Sequence, residues 1–494
     1  MFPKEKIEDE QENNFDKTDA EKLEFISSQE NKELVSDSAK LKVKRIISID
    51  ALRGGAVVGM IFVHSLMRIY DYTWISKNPE VISSLPLWLI VIIAIMGYLG
   101  MWISFFIFLS SIVNSYNMTI KTTKDKKPWK QLKNQLFAGF TILCVSYLRE
   151  ALIGYYGIFG RIIRYGKVTS FSILFDALYI MKPLSAIGWS VIIGSLIHAF
   201  LLMNKGYEKK YRNLIIYLLL FIIAVSITPF VYDWGVKVAS SGKINFSYIL
   251  ASFISGTVGG DTDPLLPYLG TVFVGNSIGM FLAQKEPPKR LPLIGSFFAL
   301  FLVIVSIIMI ILGVAVNFPN TIFRKPPEVP IYLFLLSGQI GLTMFLLRFV
   351  EYEGKMVKFG NNWLIKKLRL WSMVSLTLFV LDVYDFVPRA FLSLILIPFK
   401  IDLLRDHIFR GITGFYYTIS IAVFNVLWFD FTLKLWSRYN FVGSFEWMII
   451  KLQKIILKKR TTKLDVTFIF SNKEWYGKET VERQQSTNFV SQIE

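Results

Sequence analysis

The chain has 494 residues, of which 53% are apolar and only 19% charged, against roughly 25% charged in soluble domains. Its formal net charge of +18 is spread over short segments between apolar runs, which excludes a contiguous nucleic-acid-binding face and fits loops beside anionic lipid. A single cysteine excludes a disulfide framework or a cysteine-based metal site, and three scattered histidines argue against any metal centre.

Residues 1–44 are rich in Glu, Lys, Asp, Asn and Ser and lack the short basic-then-apolar pattern of a cleaved signal peptide. They are expected to be a disordered cytoplasmic tail, with the first helix an uncleaved anchor. Runs long enough to cross about 30 Å of hydrocarbon follow near 50–70, 88–116, 134–156, 174–203 and 213–232. Five more lie near 264–284, 292–316, 330–350, 370–398 and 411–436. The fold class expected is therefore all-α, a polytopic transmembrane bundle of about ten helices. Runs two, four and nine exceed one crossing, so tilt, a kink or a re-entrant piece is expected there, with Gly97, Gly100 and Pro183 as break points. Cys144, inside an apolar run, reads as buried packing.

With the N-terminus inside, the inward loops carry 18 Lys or Arg in 52 positions and the outward loops 11 in 90. The positive-inside rule then places both termini in the cytoplasm. The long outward loop 233–263 holds Asp233, Gly256, Gly259, Gly260, Asp261 and Asp263, a composition suited to tight turns or the mouth of a site. The transmembrane domain is expected to span 45–447. A basic, then polar, tail over 448–494 is expected to lie along the inner membrane surface.

The first run is the most informative. Residues 46–70 read IISIDALRGGAVVGMIFVHSLMRIY, and at 100° per residue Asp50, Arg53, Val57, Met60, His64 and Arg68 form one stripe of a helix. Arg53 and His64 point the same way with roughly 16 Å between them along the axis. Gly54, Gly55 and Gly59 beside the stripe let another backbone approach closely. Arg53 alone can snorkel to inner headgroups, with Asp50 as its ion-pair partner three residues back. His64, deep in the outer half of the membrane, is a functional candidate by position. Imidazole can accept a proton from a hydroxyl or amine, and arginine can hold a phosphate or polarise a carbonyl.

The segment SIDALRGGAVVGMIFVH resembles the opening helix of the transmembrane acyltransferase superfamily, in which Asp and Arg precede a His eleven positions after the Arg. GGDTDPLLPYLGTVFVGNSIG looks like a helix of the heparan-alpha-glucosaminide N-acetyltransferase branch, and ISFFIFLSSIVNSY looks like the family's second helix. SLTLFVLD (375–382) and GSFEW (443–447) are similar to motifs of the YeiB-like branch. The heparan branch commonly has Asn at the position of His64 and a histidine in the following loop; residues 71–87 here contain none.

The resemblance implies an acyl-CoA-dependent O- or N-acyltransferase with acyl-CoA, acetyl-CoA foremost, as co-substrate rather than bound cofactor. The acceptor it implies is a cell-surface glycan or glycolipid, at a multi-pass site in the cell membrane. His64 and Arg53 are then the catalytic pair, and Asp50, Asp176 and Asp382 are expected in substrate binding. Arg149 with Glu150, Asp385 and Asp430 read as interhelical ion-pair or hydrogen-bond elements that can line the same cavity. His198 and His407 read as structural. The competing reading is a transporter or flippase of a polar lipid or sugar, which buried Arg, Asp and His would also suit, although no inverted repeat is visible.

Overall fold

The computed structural model describes residues 45–71, 85–100, 103–153, 157–165, 182–240, 263–314, 328–396 and 407–457, with single positions at 258, 398, 403, 464 and 466. Among these the chain is an all-α helical bundle: α1 (Ile47–Ile69), α2 (Leu87–Gly100), α3 (Ile103–Asp125), α4 (Pro128–Leu148), α5 (Ile158–Tyr165) and α6 (Pro183–Leu202). It continues with α7 (Lys210–Ser240), α8 (Leu265–Leu282), α9 (Leu291–Ile311), α10 (Val329–Leu347) and α11 (Met356–Asn361). The last helices are α12 (Trp363–Met373), α13 (Ser375–Leu381), α14 (Phe386–Leu396), α15 (Gly411–Ser437) and α16 (Phe445–Leu457). Nine described helices are long and apolar enough to cross a membrane. The protein is a multi-pass membrane protein.

The ninth apolar run is broken. Of run two the described parts are α2, up to Gly100, and α3, from Ile103. The ninth is four pieces, α12, α13, a 3-10 turn over Asp382–Asp385 and α14, with Val374 at φ −120° and ψ 34° interrupting the first two. Of run four the described part is α6, where Pro183 occupies the first turn rather than breaking the helix, since its absent N–H would go unpaired there anyway. The helix after 210 is longer than the apolar run, so Asp233 lies in α7; Gly256, Gly259, Gly260 and Asp261 lie outside the described residues.

α8 is the centre of the bundle: every residue from Leu265 to Leu282 is buried except Leu269, which is half-buried. Its glycines explain how it gets there. A Cβ at Gly275 would stand 2.9 Å from Phe108 O, and one at Gly279 would stand 2.3 Å from Ile112 O, so α3 rests directly on the α8 backbone. Asn276 Nδ2 donates to Gly194 O of α6 (3.1 Å), and Thr271 shares a hydrogen bond with Tyr332 of α10 (2.8 Å). By contrast α7 and α9 turn large apolar side chains such as Phe230 and Phe297 outward, as lipid-facing helices do. Cys144 is exposed on α4 rather than buried; an apolar run has two acceptable surroundings, core and lipid, and composition does not separate them.

Candidate functional site

The polar stripe of α1 faces the broken ninth run, and the interruption at Val374 divides the contacts into two tiers. In the first tier, toward the N-terminal end of α1, Asp50 lies 3.5 Å from Arg53 and 3.6 Å from Arg45. Arg53 Nε donates to Ser372 Oγ of α12 at 2.7 Å. This approach depends on Gly54, because a Cβ there would stand 1.8 Å from Leu368 O. Arg369, buried on α12, lies within electrostatic reach of Asp50. Glu351 Oε1 accepts from the Ser48 N–H at 2.9 Å, which satisfies a first-turn amide of α1 with an acidic group, where the helix dipole favours one.

In the second tier, toward the C-terminal end of α1, His64 Nδ1 lies 2.7 Å from Asp382 Oδ2. Arg68, one turn beyond His64, donates through Nη2 to Asp382 Oδ2 (2.9 Å) and through Nη1 to Asp382 O (2.8 Å). The same guanidinium pairs with Asp385 at 2.9 Å, and Asp385 pairs with Arg389 at 3.3 Å. A carboxylate that already accepts from Arg68 is an acceptor for His64 as well, which assigns a proton to Nδ1. Nε2 has no hydrogen bond among the described residues, and the imidazole is 34% exposed whereas Asp382 is 2% exposed. Nε2 is thus the open nitrogen of the ring. Arg149, ion-paired with Glu150, lies within electrostatic reach of Asp382.

A third contact joins the tiers. Glu446, at the start of α16, accepts from the Leu376 N–H at 2.6 Å, the Thr377 N–H at 3.2 Å and the Thr377 hydroxyl. It therefore caps α13 where the run restarts after Val374, and it lies within electrostatic reach of Arg53. Burial pushes the Glu446 carboxyl above its ordinary range, against those hydrogen bonds. The segments SIDALRGGAVVGMIFVH, SLTLFVLD and GSFEW, far apart in the chain, meet here through His64, Asp382, Thr377 and Glu446.

Of the site residues expected from sequence, Arg53 with Asp50 and His64 with Asp382 fall into these two tiers. Asp382, expected in substrate binding, is enclosed beneath His64 and Arg68. Asp176 lies outside the described residues. Asp430 ties α15 to α12 through Lys367 and through the Trp371 Nε1–H (3.2 Å). His198 is buried between Thr119 Oγ1 (2.9 Å) and Tyr217 OH (2.6 Å), a pin among α3, α6 and α7. His407 Nδ1 meets Tyr70 O at 3.1 Å, at the C-terminal end of α1. Among the described residues no group of three or more His, Cys, Asp or Glu is placed to hold a metal ion. Several residues of the site carry no assigned role in the sequence reading. Arg68 is signalled there as the last member of the stripe and Glu446 only as part of GSFEW, while Glu351 and Ser372 carry no signal at all. No family model and no curated protein matches the chain.

Proposed function

We propose that this protein is a membrane-embedded acyltransferase that moves an acyl group, acetyl foremost, from cytoplasmic acyl-CoA to a hydroxyl or amine of a cell-surface glycan or glycolipid. The observation that carries the reading is the pairing of His64 with Asp382, which leaves Nε2 open. The Asp382 carboxylate, held by Arg68, fixes the tautomer and stabilises the imidazolium that forms when Nε2 takes a proton.

In the proposed step Nε2 accepts the proton of the acceptor O–H or N–H. The freed oxygen or nitrogen attacks the thioester carbonyl carbon, the C–S bond breaks, and the departing thiolate takes the proton back from Nε2. An acyl-histidine route uses the same nitrogen as nucleophile. Arg53, in the first tier, which the positive-inside rule puts toward the cytoplasm, suits the phosphate or pantetheine portion of a donor entering from inside, and Asp50 beside it holds the guanidinium in place.

The buried chain Arg68, Asp385 and Arg389 also suits ion-coupled transport of a polar lipid or sugar. One experiment separates the two. Purified protein in detergent is given a panel of acyl-CoA donors with candidate glycan or glycolipid acceptors, free coenzyme A is measured, and products are weighed by mass spectrometry. Acceptor-dependent release with an acylated product is expected; none with any pair, from protein that remains folded, overturns the proposal.

A further inference from the structure

α16 presents three different faces. On the first, Gln453 Nε2 donates to Asn134 O at 3.5 Å, which sets that face against the inner end of α4. Lys451 and Lys454 lie about 60° apart on a second face, with Lys451 4.7 Å from the centre of the Trp447 ring. A third face exposes Met448, Leu452, Ile455 and Ile456, of which Ile455 is 65% exposed. An apolar stripe flanked by lysines and an amphipathic tryptophan, on the side that the basic loops mark as inner, is the arrangement of a helix lying at a headgroup boundary. The sequence continues Lys458, Lys459 and Arg460, which adds to the positive charge.

We propose that α16 binds the anionic headgroup surface of the inner leaflet, apolar face inserted and Lys451 and Lys454 on the lipid phosphates, and so steadies the break in the ninth run. The link is short. Gly443, at φ +88°, turns the chain after α15, and Ser444 Oγ accepts from the Trp447 N–H (3.1 Å) to start α16. Glu446 in its first turn then holds the Leu376 and Thr377 amides. Docking α16 on lipid thereby restrains the start of α13, which leads within about two turns to Asp382. This inference is independent of acyl transfer, since it concerns a membrane contact and a backbone restraint.

The test uses full-length Cys144→Ser protein carrying Ile455→Cys, labelled with an environment-sensitive fluorophore and reconstituted in phosphatidylcholine vesicles with or without phosphatidylserine. Hydrogen exchange is followed at the Leu376 and Thr377 amides in the same samples. Phosphatidylserine is expected to shift the emission to the blue, increase quenching by lipid-attached quenchers, and slow both amides severalfold. Lys451→Glu with Lys454→Glu, exposed positions that leave the fold intact, should abolish the difference. Equal emission and exchange in both lipids, or a response unaltered by the double substitution, overturns the proposal. A shift that follows protein density instead of lipid charge would mean that a second copy covers this face, and also overturns it.

Discussion

His64 and Asp382 stand 318 positions apart in the chain and 2.7 Å apart in space. The carboxylate is shared with Arg68 from the same helix as His64, so one residue of the broken run is gripped twice by α1. Replacing Asp382 with Asn keeps the size but removes the charge. Acyl transfer is expected to fall by about 100-fold or more, because the imidazolium loses its counter-charge and the tautomer its anchor. The check is CoA release at matched concentrations of folded protein.

Gly54 is expected not to tolerate a side chain. With a Cβ 1.8 Å from Leu368 O, Gly54→Ala must push α12 away and break the bond from Arg53 to Ser372. Gly55→Ala, whose Cβ would meet Leu99 Cδ1 at 3.9 Å, is the control. Thermal unfolding in detergent should show a clear loss for the first and little change for the second.

The stripe from Asp50 to Arg68 is legible in the sequence because it follows from the helical period, and the crossings are legible because they follow from the length of their apolar runs. Both are local properties. The ninth run carries neither glycine nor proline between 363 and 387, so nothing local marks its break at Val374. The break is held by partners from elsewhere: Gly54 admits the α12 backbone, and Glu446 satisfies amides that the interruption leaves unpaired. Asp382 is one of several intramembrane acids in the sequence, and only its distance to His64 sets it apart. Cys144 departs from its sequence reading because lipid and core accept the same side chains.

Glu446 gives a pH test. Burial raises its folded pKa above the ordinary glutamate value of about 4.3. Its contribution to stability is therefore fully present below that value and is lost as pH rises through the folded pKa. Glu446→Gln removes this titration and can still accept the amide hydrogen bonds. The unfolding temperature of Glu446→Gln relative to the parent should rise between acid and neutral pH, whereas Glu446→Ala should lower it at both. A pH-independent offset between Gln and parent would contradict the assignment.

His198 is expected to matter for stability alone. Removing the imidazole leaves a cavity and deprives Thr119 and Tyr217 of a buried partner, at a cost of about 2–4 kcal/mol. His198→Ala should unfold at lower temperature while the folded fraction keeps the parent's turnover.

The most direct measurement is acceptor-dependent CoA release by His64→Ala beside the parent and His407→Ala, each at equal folded concentration. His64→Ala should lose about 100-fold or more. His407→Ala, whose imidazole meets the Tyr70 carbonyl at the C-terminal end of α1, should stay close to the parent. Undiminished release from His64→Ala would contradict the account.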